Sequence, residues 1–412
     1  MKYNAIRLKL EKQFGDELSS LLQGQIITKI LKMAQIEDNE NIYKKIFDGH
    51  HFKISKELSP RLYNLCQSVL KKLQFSEETD FYISNQPEIN AVSIPRLEED
   101  QKHIIAFNSG LIEKLDDAEL KFVIGHEIGH LISKNADIWR IIRVVFPDPN
   151  SIPFIIKNKI NFWQRLSELS ADRFGFIASP NLEKVVSSFF VLAAGISIDR
   201  IKFNYEEYLK QNAIILEKFA NSSFLNSSTH PINPLRLEAM KIFSESNLLE
   251  RLSFGQDEPD EKLEAKIQNV LGNFVMLSDS ELARHRMYYV ASAGFILANV
   301  DENISEKEYS EIINTLANYT LFPQDILKDV VDSGKVIEIF ENSTKELLTR
   351  SPSERYGMFN FLIQLALSDN EILNIEIELL FKIGREYFSF NEKEIAQLIA
   401  ESIHKIFIPK LF

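Results

Sequence analysis

The stretch from Asp116 to about Ser133 constrains this chain more than any other. Leu120, Val123, Ile124, Ile128, Leu131 and Ile132 recur at helical spacing, and Asp116 followed by Glu119 forms a capping box at the start. A helix so apolar on most sides is buried. It nevertheless carries His126, Glu127 and His130. Imidazoles and a carboxylate in such a place are costly without partners. Positions i and i+4 of a helix lie about 40° apart around the axis and roughly 6 Å apart along it. Both imidazoles can therefore reach one ion, with Glu127 beside them. That is two metal ligands and a general base on one element.

A catalytic zinc takes three protein ligands and keeps a fourth position for water. A second helix, read over Phe162 to Ile177, offers Glu168-Leu169-Ser170-Ala171-Asp172. Glu168 and Asp172 share one face. One can bind the ion while the other accepts the free N–H of a ligand histidine. The residue types leave open which does which. Ala171 is small and would let the two helices approach closely.

The rest of the chain sets the frame. At 412 residues it is long enough for two or three domains. Its composition, 45% hydrophobic and 26% charged, is that of a globular protein. A formal charge of −12 disfavours nucleic acid, which needs clustered Lys and Arg. Cys66 is the single cysteine, so no intrachain disulfide forms. No apolar run approaches the roughly 20 residues that span a bilayer. These features are read as a soluble, cytoplasmic protein.

Four regions are expected. Residues 1–54 form a helical extension, and residues 55–249 a domain with short strands at Asp80–Ser84, Ala91–Ile94 and His103–Phe107. The acidic stretch 250–264, with Gly255 and Pro259, reads as a linker. Residues 265–412 are all helical. The tandem His50-His51 reads as exposed polar residues after the Asp48-Gly49 turn, since no carboxylate or Cys spacing supports a metal site there.

Asn90-Ala91, Ser109-Gly110-Leu111, His126 to His130, Glu168 to Asp172, and Thr229-His230-Pro231 with Arg236 stand in the order found in one peptidase family. Over about residues 55–245 the chain resembles the zinc metallopeptidases that include the heat-shock protease HtpX, the mitochondrial protease Oma and the CAAX prenyl proteases. The resemblance implies an α+β, mostly helical, zincin-type core with a small β-sheet. It implies one Zn2+ held by His126, His130 and Glu168, with Glu127 as base and Asp172 supporting a ligand histidine. His230 by itself reads either as a turn residue or as a protonated imidazole that stabilises an oxyanion; the resemblance favours the second. Arg236 is read as anchoring its loop through a carboxylate. The implied reaction is hydrolysis of protein or peptide substrates by a metal-activated water. The strand at His103–Phe107 is taken as the sheet edge on which extended peptide would add.

Many members of that family are membrane-embedded, whereas this chain shows no spanning helix. Residues 138–163, apolar and aromatic, are read as a packed helix and loop. A lid over the cleft and a membrane-touching patch are the alternatives. In the C-terminal region Leu297-Ala298, Asp301, Ile304, Glu308 and Tyr319 recur, shifted by 68 residues, as Leu365-Ala366, Asp369, Ile372, Glu376 and Tyr387. These copies resemble TerB-like helical modules. They do not fit an EF-hand, because no glutamate stands twelfth from Asp301 or Asp369. The paired acids are read as helix caps, and the module as binding a partner or regulating the peptidase. The competing reading is a zinc-binding scaffold whose peptidase site is closed.

Overall fold

The structure is a computed structural model. It describes residues 3–33, 42–96, 101–152, 154–219, 231–272, 281–320, 322–371 and 373–406. The chain divides into two compact units, one reaching Gly272 and one formed by the residues beyond it.

The first unit is built on a four-stranded mixed sheet. Its strands are β1 (Phe52–Lys53), β2 (Thr79–Ser84), β3 (Ala91–Ile94) and β4 (His103–Asn108), in the order β1-β2-β4-β3. β2 and β4 run parallel, with Thr79 opposite His103 and Ser84 opposite Asn108. β3 pairs antiparallel with β4, and β1 antiparallel with β2. The expected position of the edge is therefore corrected. β4 is hydrogen-bonded on both sides, and the outer strands are β1 and β3. Its residues His103 to Phe107 are all buried, which is why it reads as a continuous apolar run.

The motif helix (Asp117–Ser133) packs against β3 and, most extensively, against a long helix (Phe154–Ala178). Its start is the expected capping box: the Asp116 side chain accepts from the Ala118 and Glu119 amides, and Glu119 accepts from the Asp116 amide. The long helix begins two turns earlier than the pattern predicts. The two helices approach so closely that glycine is required between them. A Cβ on Gly125 would stand 2.5 Å from the Ala178 Cβ, and one on Gly129 would stand 3.0 Å from the Ala171 Cα.

Residues 138–163 are folded as a helix (Asn135–Val145), a short 3-10 turn (Pro149–Ser151) and the first turns of the long helix. Ile141, Ile142, Ile160, Phe162 and Trp163 are buried. The packed-helix reading accounts for the apolar character of this stretch.

Two parts that look peripheral in the sequence are built into this unit. The helix Lys9–Leu21 lies on the long helix, with Phe14 against Phe162 at 5.1 Å between ring centroids. The Leu8 amide donates to Ser170 Oγ at 3.0 Å. The acidic stretch 250–264 is no linker here: it runs into a helix (Glu261–Gly272) that belongs to the same unit. Its acids have specific partners. Buried Glu264 accepts from Arg173 Nη1 at 2.7 Å and from the Lys9 amide at 2.9 Å, and Asp257 accepts from the Ala5 amide at 3.2 Å. A run of acids looks solvated in a sequence, but here it closes on the N-terminal segment.

The second unit holds seven α-helices among the described residues, from Glu281–Ala298 to Glu392–Ile406. The repeat shows in its hydrogen bonds. Asp301 accepts from the Asn303 amide and Asp369 from the Glu371 amide. Glu308 caps the Ser305 amide and Glu376 the Leu373 amide. Between these, Glu302 and Asn370 adopt matching left-handed conformations, at φ 62° and 63°. Ile372 lies outside the described residues. No helix among the described residues is long and apolar enough to cross a membrane.

Candidate metal centre

The two imidazoles of the motif helix turn their Nε2 atoms toward one point, 3.1 Å apart. Glu168 of the long helix completes the triangle: Oε2 lies 3.6 Å from His126 Nε2, and Oε1 lies 3.4 Å from His130 Nε2. Tetrahedral ligands about 2.1 Å from a zinc ion stand roughly 3.4 Å from one another. The residues present therefore fit such an ion. Among the described residues this is the group of His, Cys, Asp and Glu side chains close enough to hold a metal.

The opposite ring nitrogens are engaged. His126 Nδ1 donates to Asp172 Oδ1 at 2.9 Å, and His130 Nδ1 to Asn135 Oδ1 at 3.1 Å. With each Nδ1 holding its proton, each Nε2 presents a lone pair to the same point. Two lone pairs and a carboxylate facing each other call for a cation. The electrostatics agree. Burial works against a charged His126, yet hydrogen bonds to Asp172 and Glu168 override it and raise its pKa to about 10. Burial likewise opposes charge on His130, and Glu168 raises it. Protons and metal compete for such nitrogens.

Asp172 is fully buried. Burial pushes its pKa up, but Arg236 holds it below the ordinary carboxylate range. The Arg236 Nε and Nη2 atoms reach Asp172 at 2.8 and 2.6 Å, and the guanidinium lies 4.4 Å over the Phe189 ring. The placement left open between Glu168 and Asp172 is thus resolved by geometry: Glu168 faces the Nε2 atoms and Asp172 the Nδ1 of His126. Glu127 is mostly buried and lines the same cleft, of about 660 Å³, together with His126, His130 and Glu168. Asn90 and, from β3, Ala91, Val92 and Ser93 also line this cleft. His230 lies outside the described residues.

His50 ends the helix Ile42–His50 and is exposed, and the His51 ring rests 4.5 Å from Phe47. Neither joins the cluster. Sequence reasoning missed Asn135, which sits five positions past His130, beyond the end of the motif helix. No spacing rule points to it.

Two helical histidines, a carboxylate from a second helix and an adjacent glutamate define a centre of the His-Glu-x-x-His metallopeptidase class. Comparison with known proteins finds similarity over part of the chain. Residues 57–145 match the family model of Peptidase family M48. A protease HtpX homologue of Tropheryma whipplei (strain Twist) is 42% identical over 97 residues, which are 23% of this chain and 30% of that protein. The HtpX homologue of Helicobacter pylori (strain J99) is 33% identical over 98 residues, 22% of this chain and 31% of that protein. A plastoglobule-localized metallopeptidase 48 of Arabidopsis thaliana chloroplasts is 24% identical over 245 residues, covering 56% of this chain and 67% of that protein. The chain spans about a third of the length of the HtpX homologues it matches. Over residues 57–145 it resembles Peptidase family M48.

Proposed function

We propose that the protein is a zinc-dependent endopeptidase acting on protein substrates. The observation that carries this reading is the convergence of His126 Nε2, His130 Nε2 and Glu168 on one point, in a cleft that also holds Glu127. A zinc ion bound there would polarise the scissile carbonyl and lower the pKa of water. Glu127 accepts the proton of the attacking water and passes it to the leaving amine. Asp172 and Asn135 keep the Nδ1 protons of the two histidines in place, so that both Nε2 atoms remain ligands. Arg236 keeps Asp172 ionised. His230 remains the proposed donor to the oxyanion.

The substrate is expected to bind in extended form along β3. The Asn108 amide bonds the Asn90 carbonyl. By the alternation of an antiparallel ladder, Val92 and Ile94 then face β4, while the main-chain groups of Ala91 and Ser93 face outward. Such an edge reads backbone rather than side chains.

The second unit is proposed to be TerB-like and to bind a partner or regulate the peptidase, with its paired acids serving as caps. The reaction is placed in the cytoplasm, which suits a single cysteine that is buried, its thiol pushed up to about 12 by burial.

The test pairs metal analysis with cleavage of casein by wild type and by Glu127→Gln. Zinc at one equivalent, with cleavage lost in the variant, is expected. Zinc present with equal activity in both would overturn the enzymatic role.

A further inference from the structure

The second ligand histidine is steadied from the far end of the chain. Asn135 Oδ1 accepts from His130 Nδ1, and Asn135 Nδ2 faces two acceptors, Glu11 Oε1 at 3.3 Å and Ser167 Oγ at 3.1 Å. Ser167 has already committed its hydroxyl proton to the Trp163 carbonyl, at 3.0 Å, so its oxygen accepts. Glu11 is gripped by Arg7 through two bonds of 3.0 Å, which makes its carboxylate an acceptor too. An amide has one donor end and one acceptor end. With two acceptors on one side, its oxygen must face His130. That in turn requires the proton of His130 to sit on Nδ1 and leaves Nε2 free toward the metal point.

Glu11 is 0% exposed and Asn135 7% exposed, so this chain of bonds is largely shielded from solvent. A carboxylate is not buried without reason. Burial in fact pushes the pKa of Glu11 up, against the lowering effect of Arg7. An apolar residue would fill the same space at less cost.

We propose that Glu11 is a positioning residue of the metal centre: by setting the orientation of the Asn135 amide it sets the tautomer of His130 and so its strength as a ligand. This rests on the reading of His130 as a metal ligand. It also makes the N-terminal helix a working part of the peptidase unit.

The test is a cycle of Glu11→Gln, Asn135→Asp and the double variant in the full chain. Zinc affinity is measured by competition with a chromogenic chelator, and thermal unfolding of the metal-free proteins is followed alongside. In Glu11→Gln the new amide oxygen is claimed by Arg7, so a donor meets the Asn135 donor. In Asn135→Asp two carboxylates meet. Each single change is expected to weaken zinc binding about tenfold or more, the usual effect of losing such a partner. In the double variant the amide introduced at position 11 donates to the carboxylate introduced at position 135. That carboxylate also accepts from His130. Affinity is expected to return to within about threefold of wild type, a rescue that a merely structural role would not produce. Should Glu11→Gln not fold, the double variant, in which the Ser167 hydroxyl turns from the Trp163 carbonyl to the new carboxylate and so matches donors and acceptors again, is still expected to fold and bind.

The inference is overturned if Glu11→Gln binds zinc as wild type does, or if the double variant is as weak as the two single losses multiplied. A wild type that binds no zinc removes the ligand reading of His130 and this inference with it. Zinc binding with the rescue, but without casein cleavage, sinks the peptidase reading alone and leaves the role of Glu11 standing.

Discussion

Arg236 grips Asp172 through two hydrogen bonds, of 2.8 and 2.6 Å, and the same carboxylate holds His126 Nδ1 at 2.9 Å. Neither Arg236 nor Asp172 faces the point on which the Nε2 atoms converge; both connect to it through His126. Arg236→Ala would leave a buried carboxylate without its cation. Removal of one partner from a buried pair costs about 3–5 kcal/mol. The variant is expected to unfold at lower temperature and to bind zinc about 10- to 100-fold more weakly. Calorimetry and chelator competition measure the two effects. Arg236→Lys should recover part of the stability but not the paired geometry.

The close approach of the two helices makes a second prediction. Gly125→Ala sets a methyl 2.5 Å from the Ala178 Cβ and 2.9 Å from the Phe174 carbonyl. Overpacking of this kind costs about 1–3 kcal/mol. Because Glu168 rides on the helix that must move, zinc affinity should fall with stability. Ala178→Gly in the same chain removes the nearest clash and should return part of both.

Along β3, Ser93→Pro would delete an outward N–H without taking a bond from β4. Proline is tolerated on edge strands for this reason. Zinc affinity should stay at the wild-type value while kcat/KM for peptide substrates falls about tenfold, the worth of roughly one hydrogen bond. Unchanged kcat/KM would show that substrate does not bind along this edge.

Glu376 gives the second unit a pH dependence. Burial raises its pKa to about 7, and Glu308, Asp369 and Asp301 add to the rise. The folded state therefore holds a proton that the unfolded state releases near the ordinary carboxylate value. Between those two values the folded state binds more protons, so stability falls as pH rises toward 7. The midpoint of this unit is expected to be higher at pH 5.5 than at pH 8. Glu376→Gln keeps an acceptor for the Leu373 amide and should flatten that difference, raising the midpoint at pH 8. Scanning calorimetry of both proteins at the two pH values measures it.

Some of this molecule is legible residue by residue. The spacing of His126, Glu127 and His130 is local, and helix geometry alone brings both rings to one face. The capping box at Asp116, the strand Ala91–Ile94 and the repeated Asp and Glu caps of the second unit depend on neighbours within a few residues, and each forms where local pattern places it. The His230 segment falls outside the described residues.

What only the tertiary structure decided lies between residues far apart in the chain. Glu168 and Asp172 share a helix face and differ by one carbon. Packing against the motif helix sends one to the Nε2 atoms and the other to Nδ1. β4 looks like an edge until β3 pairs with it. The acids of 250–264 look solvated until Arg173 and the N-terminal amides meet them. Glu11 looks like one more surface acid on an amphipathic helix, yet its partner Asn135 stands 124 positions away. Sequence pattern records periodicity and local hydrogen bonding. Which buried donor meets which acceptor depends on how helices pack, and that is a property of the folded chain as a whole.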